Sequence, residues 1–248
     1  MKGTVIITGA GRGIGAATAR LAAHHGYAVG VNFRQDADAA RQVVQDIEHL
    51  GGQALSVQGD VSVEADVARL FAEVDRAFGP VTALVNNAGV LEQQARVEQM
   101  DAARLQRVFA TNVVGSFLCA REAVRRMSTR YGGRGGAIVN VSSRAAVLGS
   151  AGEYVDYAAS KGAVDSLTTG LAREVAAEGI RVNGVRPGLI GTDIHASGGE
   201  PQRVARLASS VPLGRGGTPE EVAQAIVWLL SDEASYVTGT FLDVAGGR

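Results

Sequence analysis

The chain has 248 residues, 46% hydrophobic and 20% charged, which suits one large α/β domain with a sizeable core. Its formal net charge of −1 and 5% aromatic content exclude a basic, aromatic-interleaved surface for nucleic acid and any field that would recruit an anionic membrane. One cysteine, Cys119, excludes an internal disulfide, and no apolar run approaches the roughly 20 residues of a membrane span.

Taken in chain order, short β-branched runs alternate with longer segments of helical period. Val5–Ile7, Ala28–Val31, Ala54–Val57, Ala83–Val85, Ala137–Val141, Arg181–Val185 and Phe241–Val244 read as strands. Ala16–His25, Ala37–Leu50, Val63–Phe78, Arg104–Met127, Tyr157–Glu178 and Glu220–Leu230 read as amphipathic helices between them. Strands separated by helices of this length predict βαβ units, hence a doubly wound parallel sheet of about seven strands with helices on both faces. With no linker composition and no repeat, 1–248 reads as a single Rossmann-type domain. The one long irregular stretch, Gly191–Gly217, is expected to be a substrate lid with a short helix near Arg203–Ser209. Met1-Lys2-Gly3 runs straight into the first strand, which leaves no room for a secretory signal, so a cytoplasmic protein is expected. The setting of Cys119, beside Phe117 and Leu118, predicts a buried and unreactive thiol.

Directly after the first strand stands Thr8-Gly9-Ala10-Gly11-Arg12-Gly13-Ile14-Gly15, followed at once by a helical segment. A glycine-rich turn at that junction lets backbone N–H groups approach a pyrophosphate, with the positive helix end behind them. The second strand ends Val31-Asn32-Phe33-Arg34, with no carboxylate where an NAD enzyme commonly binds the ribose hydroxyls. Arg34 and Arg12 stand there instead, and paired guanidiniums suit a 2′-phosphate. NADPH is therefore the expected cofactor, with NAD still possible. Asp36 and Asp38 lie just beyond and are expected to cap the next helix.

Tyr157-Ala158-Ala159-Ser160-Lys161 puts a phenol and an ammonium on one helix face. A nearby cation lowers a phenol's pKa by about 1–3 units, which would make Tyr157 a usable general acid/base. Ser142 and Ser143 lie at the carboxyl end of the fifth strand, where open α/β sheets bind ligands, and Asn87 with Gly89 ends the fourth. Asn112 sits inside a helix, a poor place for an asparagine without a partner. Four scattered histidines give no metal site.

These motifs, in this order, resemble the classical short-chain dehydrogenase/reductase family over essentially the whole chain. The resemblance implies an oxidoreductase that moves hydride between NADP(H) and a carbonyl or secondary alcohol. It implies that Tyr157 is the acid/base, that Lys161 lowers its pKa and holds the nicotinamide ribose, that Ser143 polarises the carbonyl, and that Asn112 holds a relay water. It also implies cofactor contacts at Gly9, Gly11, Arg12, Gly13, Ile14, Gly15, Asn32, Arg34, Asp60, Val61, Asn87, Ala88, Gly89, Tyr157, Lys161, Pro187, Gly188, Ile190 and Thr192. Ser143 stands 14 residues before Tyr157, one more than the family's usual interval, which reads as an insertion in the loop 144–156 and keeps Ser142 in reserve. The strand end and polar loop are similar to glucose-dehydrogenase-like and acyl-ketone-reducing members, and Glu153, Asp156, His195, Gly198 and Gly199 point to a polar substrate. The family also implies a homotetramer. A cofactor-binding sensor or scaffold without turnover, and a lyase or epimerase on the same scaffold, are the competing readings. The first gains nothing from an activated phenol. The second calls for a larger substrate domain.

Overall fold

A computed structural model describes residues 2–248. Seven strands, β1 (Gly3–Ile7), β2 (Tyr27–Phe33), β3 (Gln53–Gln58), β4 (Ala83–Asn86), β5 (Gly136–Val141), β6 (Ile180–Pro187) and β7 (Phe241–Val244), form one sheet in the order β3-β2-β1-β4-β5-β6-β7. Every pairing is parallel. Such a sheet must be covered on both faces, and the strand residues divide accordingly. Val5, Ile7, Val29, Val31, Val85 and Val139 pack toward α1 (Gly13–His24), α2 (Ala37–His49) and α10 (Pro219–Leu230). Their neighbours Ile6, Leu84, Ile138 and Val182 pack on the opposite face. There they meet α3 (Glu64–Phe78), α5 (Gly115–Met127) and α7 (Val155–Val175). Cys119 lies inside this second layer, where burial pushes its thiol up to about 12. That is the inert thiol expected of it.

Helix starts follow their caps. Asp36 accepts from the Ala39 N–H at 2.9 Å and Asp101 from the Arg104 N–H at 2.7 Å, while Thr218 and Glu221 form a capping box ahead of α10. Three expected spans change. The run read as Arg104–Met127 is α4 (Ala102–Phe109), a π-helical turn (Ala110–Val114) and α5, because the turn around Asn112 widens. The helix expected from Tyr157 begins at Val155 and gives way to a 3₁₀ turn at Ala176–Glu178. Asp156 is therefore a helical residue, not part of the preceding loop. That loop itself holds a short helix, α6 (Ala145–Leu148).

The 191–217 excursion carries α8 (Ile194–Ser197) and α9 (Arg203–Leu207), then a 3₁₀ turn at Ala208–Ser210. Its two ends are tied together: Gly191 N–H donates to Gly217 O at 3.0 Å and Gly217 N–H to Leu189 O at 2.9 Å. The excursion thus leaves and re-enters the body through one stem. Sheet order reverses between β1 and β4, so a crevice opens at the strands' carboxyl ends there, the place where sheets of this kind bind ligands.

Candidate active site

A cavity of about 420 Å³ runs along this edge, from the turn between β1 and α1 to the first turns of α7. Every residue expected at the cofactor or the reaction centre lines it, except Gly15 and Asn112.

The glycine turn is held open from both sides. Gly9 has φ +61°, and a Cβ there would stand 3.0 Å from Ala88 Cα. Asn32 Oδ1 accepts from Gly9 N–H at 3.2 Å, and its Nδ2 donates to the carbonyls of Val57 and Gly59. From the other side, Asn87 Nδ2 donates to the carbonyls of Thr8 at 2.8 Å and Gly9 at 3.1 Å. The two asparagines therefore grip the loop, and Asn32, expected as a cofactor contact, has both side-chain groups spent on backbone. Gly15 is also corrected: its Cβ would fall 2.6 Å from Gly9 O and 2.5 Å from Asn87 Nδ2. It lets α1 close on the turn without facing the cavity. The first N–H groups of α1 have no intrahelical acceptor, and Arg12 and Arg34 line the cavity beside them. Arg34 is half exposed and reaches Asp60 only at 3.6 Å, so its fork is not committed. Backbone donors, glycines and two guanidiniums fit a dinucleotide well.

At the other end, Tyr157 and Ser143 line the cavity together, close enough for the Ser143 hydroxyl to pull the phenol's pKa down. Ser142 instead is buried and donates to Lys161 O at 3.3 Å, which removes the reserve candidate from the cavity chemistry. Lys161 Nζ lies 5.6 Å from the centre of the Tyr157 ring and donates to Val141 O at 2.7 Å. The expected lowering of the phenol by this cation is not what the geometry produces. Burial pushes Tyr157 up to about 12, opposed only by the Ser143 hydroxyl, and burial pushes Lys161 down to about 8. Desolvation wins because each group is surrounded by protein on most sides and the ammonium is turned toward a carbonyl.

Asn112 finds the partner its position demanded. Its Oδ1 accepts from Val90 N–H at 2.8 Å, and its Nδ2 donates to Val90 O at 3.1 Å and Ser160 Oγ at 3.0 Å. The side chain clamps the segment after β4 to α7. A buried ion pair does the same nearby: Arg104 Nε meets Asp156 Oδ2 at 2.7 Å, and Arg104 Nη1 donates to Gln93 O at 2.6 Å. Removing one partner of such a pair costs about 3–5 kcal/mol. Asp156 is therefore scaffold. Glu153 is likewise taken, by Arg203, which also pairs with Glu200 at 2.5 Å. His195 does reach the cavity, its Nε2 held 2.9 Å from Ile190 O. Val90, Leu91, Leu148 and Arg203 line the site too, unannounced by any motif; only the apolar Val90-Leu91 pair after Gly89 gave a signal.

A family model described as Enoyl-(Acyl carrier protein) reductase matches residues 9–248. YgfF of Escherichia coli (strain K12), named as an uncharacterized oxidoreductase, is 60% identical over 243 residues, covering 98% of each chain. The 3beta-hydroxysteroid dehydrogenase 1 of Eggerthella lenta is 42% identical across all of this chain and 94% of its own. The crystal structure of a dehydrogenase/reductase from Sinorhizobium meliloti 1021 matches with a TM-score of 0.91 at 33% identity, covering 99% of this chain and 94% of that one.

Proposed function

The chain belongs to the short-chain dehydrogenase/reductase family and is an NAD(P)-dependent oxidoreductase acting on hydroxyl groups; on that premise we propose an NADP(H)-preferring enzyme with Tyr157 as general acid/base. It interconverts a secondary alcohol and its carbonyl compound. One observation carries this reading: a single cavity joins the glycine turn, Arg12 and Arg34 to Ser143, Tyr157 and Lys161.

The bound cofactor supplies or accepts the hydride. The chain's own residues do the rest. Ser143 and Tyr157 hold the substrate oxygen between two hydroxyls, and Tyr157 gives it a proton in reduction and takes one in oxidation. Lys161 holds the ribose and keeps positive charge beside the phenol. Gly9, Gly11, Arg12, Gly13 and Ile14, all lining the cavity, would cradle the pyrophosphate, and Asp60, Val61, Ala88 and Gly89 would line the adenosine side. Pro187, Gly188, Ile190 and Thr192, also in the lining, would face the carboxamide. The Asn112 side chain is spent and its backbone carbonyl already accepts from the Ser116 hydroxyl at 2.8 Å, so any relay through it uses that carbonyl's second lone pair. We read 1–248 as one domain, 191–217 as a lid over the substrate, and the cytoplasm as its compartment. Among the described residues no helix is long and apolar enough to cross a membrane.

Arg34 tests the cofactor reading. Charge-assisted hydrogen bonds contribute about 1.5–3 kcal/mol, so Arg34→Asp should raise the KM for NADPH roughly 10–150-fold. The KM for NADH should change far less. Equal effects on the two would refute a 2′-phosphate site. NADPH oxidation across a panel of ketones separates this reading from a cofactor sensor, which would bind and not turn over.

A homotetramer completes the proposal. Leu105, Phe109, Val114 and Phe117 expose 39%, 37%, 46% and 51% of their surface along α4, the π-helical turn and α5, an apolar stripe that a second copy would cover. Sedimentation should give four copies, and a monodisperse monomer would remove the assembly.

A further inference from the structure

We propose that the enzyme's substrate is an uncharged apolar alcohol or ketone, a ring or branched hydrocarbon bearing one oxygen, seated against Leu91, Leu148, Ile194 and the ring of Tyr154. This rests on the oxidoreductase reading above and names the substrate class for the same site. It reverses the polar substrate expected from Glu153, Asp156 and His195.

The cavity that holds Ser143 and Tyr157 is also lined by Val90, Leu91, Leu148, Leu189, Ile194 and Tyr154, which we assign to its substrate wall. Most of its polar groups are already engaged. Tyr154 is buried and donates its hydroxyl to Gly198 O at 3.0 Å, so it presents an aromatic face. His195 Nε2 is held by Ile190 O at 2.9 Å, and Nδ1 is shut off from solvent with no partner. Arg203 lies over the Tyr154 ring at 5.1 Å between Glu153 and Glu200. Arg144 is bound to Asp243 at 2.6 Å and to Arg248 O at 2.7 Å. Ser150, Asp193 and Arg248 keep side-chain polar groups without a partner among the described residues; Asp193 is exposed and the other two are partly open to solvent. A polyol or an anion entering this wall would lose water and regain few hydrogen bonds, whereas a hydrocarbon body gains from the same burial.

Two further features favour the hydrocarbon. Apolar surface continues outward over α6, where Val147 is 56% and Leu148 51% exposed, so a body larger than the inner slot still meets apolar side chains. The lid approaches this wall through Gly198, where a Cβ would stand 2.8 Å from Leu91 Cδ2 and 3.1 Å from Tyr154 Oη. Gly198 has φ −77°, so the glycine is required by closeness and not by backbone shape. The lid thus seals down on an aliphatic and an aromatic side chain.

The test compares kcat/KM for NADPH-dependent reduction of acetone, cyclohexanone, 4-tert-butylcyclohexanone, 4-oxocyclohexanecarboxylate and a ketose. Arg144 and Arg248 at the mouth make the carboxylate the informative competitor. The proposal expects 4-tert-butylcyclohexanone to exceed both the carboxylate and the ketose by about tenfold or more. It also expects Leu148→Asp to raise the KM for 4-tert-butylcyclohexanone about tenfold and that for acetone much less. A carboxylate or ketose preferred over the apolar ketone overturns the substrate class and leaves the oxidoreductase standing. An equal effect of Leu148→Asp on large and small ketones removes α6 from the binding wall and with it the proposal. If NADPH binds and none of the five is reduced, the substrate class is overturned while the family assignment stands.

Discussion

Tyr157→Phe is expected to lower kcat for carbonyl reduction by about two to four orders of magnitude, the range that general acid/base catalysis contributes. The change removes one oxygen from a ring otherwise held by packing and leaves Lys161 on the ribose, so the Kd for NADPH should change far less than kcat. The pH behaviour has a definite sign. With burial holding the phenol up at about 12, the protonated form that reduction needs is present across the whole physiological range in the cofactor-free protein. Oxidation needs the phenolate, so alcohol oxidation should rise with pH where reduction does not. Steady-state rates in both directions from pH 6 to 10, with fluorescence titration of NADPH, measure all three quantities. Residual reduction above about a tenth of wild type would show that the substrate oxygen takes its proton from another group, since a general acid is worth at least about a hundredfold.

Much of the fold could be read in the residues, and the reason is burial. A parallel strand covered on both faces is apolar throughout, so runs such as Val5–Ile7 and Ala137–Val141 stand out against the helical period between them. The glycine turn and the Tyr157/Lys161 pair were legible for a different reason: each is local, its meaning contained in a few adjacent residues or one helix turn. What stayed hidden was pairing across distance. Nothing near Asn32 tells that its side chain will span Gly9, Val57 and Gly59, since those three loops meet only in the folded sheet. Asp156 likewise looked like a loop carboxylate near the site because its partner Arg104 lies 52 positions away. The widened turn at Ala110–Val114 leaves no periodic trace over five residues, although Asn112's poor helical propensity marked the spot. The apolar substrate wall is assembled from Leu91, Leu148, Leu189 and Ile194, four separate segments with no shared motif. Conspicuous charges nearby, Glu153 and Asp156, suggested the opposite polarity only because their counter-charges could not be seen.

The second large effect concerns Lys161, where function and stability are expected to pull apart. In the folded protein burial pushes this ammonium down to about 8, against an ordinary lysine value of 10.5. Below pH 8 the proton is bound in both folded and unfolded chains, and the folded protein carries the whole desolvation penalty. Between pH 8 and 10.5 the unfolded chain keeps its proton while the folded one has lost it, so stability rises with pH across that window. At 1.36 kcal/mol per pKa unit the gain is about 3 kcal/mol. Lys161→Met fills similar volume without the charge and has no such slope. It gives up the 2.7 Å hydrogen bond to Val141 O, a loss that does not depend on pH. The stability of wild type relative to Lys161→Met should therefore increase by about 3 kcal/mol from pH 7 to pH 10.5, read from urea unfolding of both proteins at each pH. Activity should move the other way at every pH, with kcat/KM falling by roughly a thousandfold as the ribose contact and the charge beside Tyr157 vanish together. A wild-type minus variant difference that is flat with pH would mean that Lys161 titrates as an ordinary surface lysine, and the dry setting assigned to the Tyr157–Lys161 pair would be wrong. A sloped difference with activity retained would keep the burial and remove Lys161 from the chemistry, leaving Ser143 and Tyr157 to hold the substrate oxygen alone.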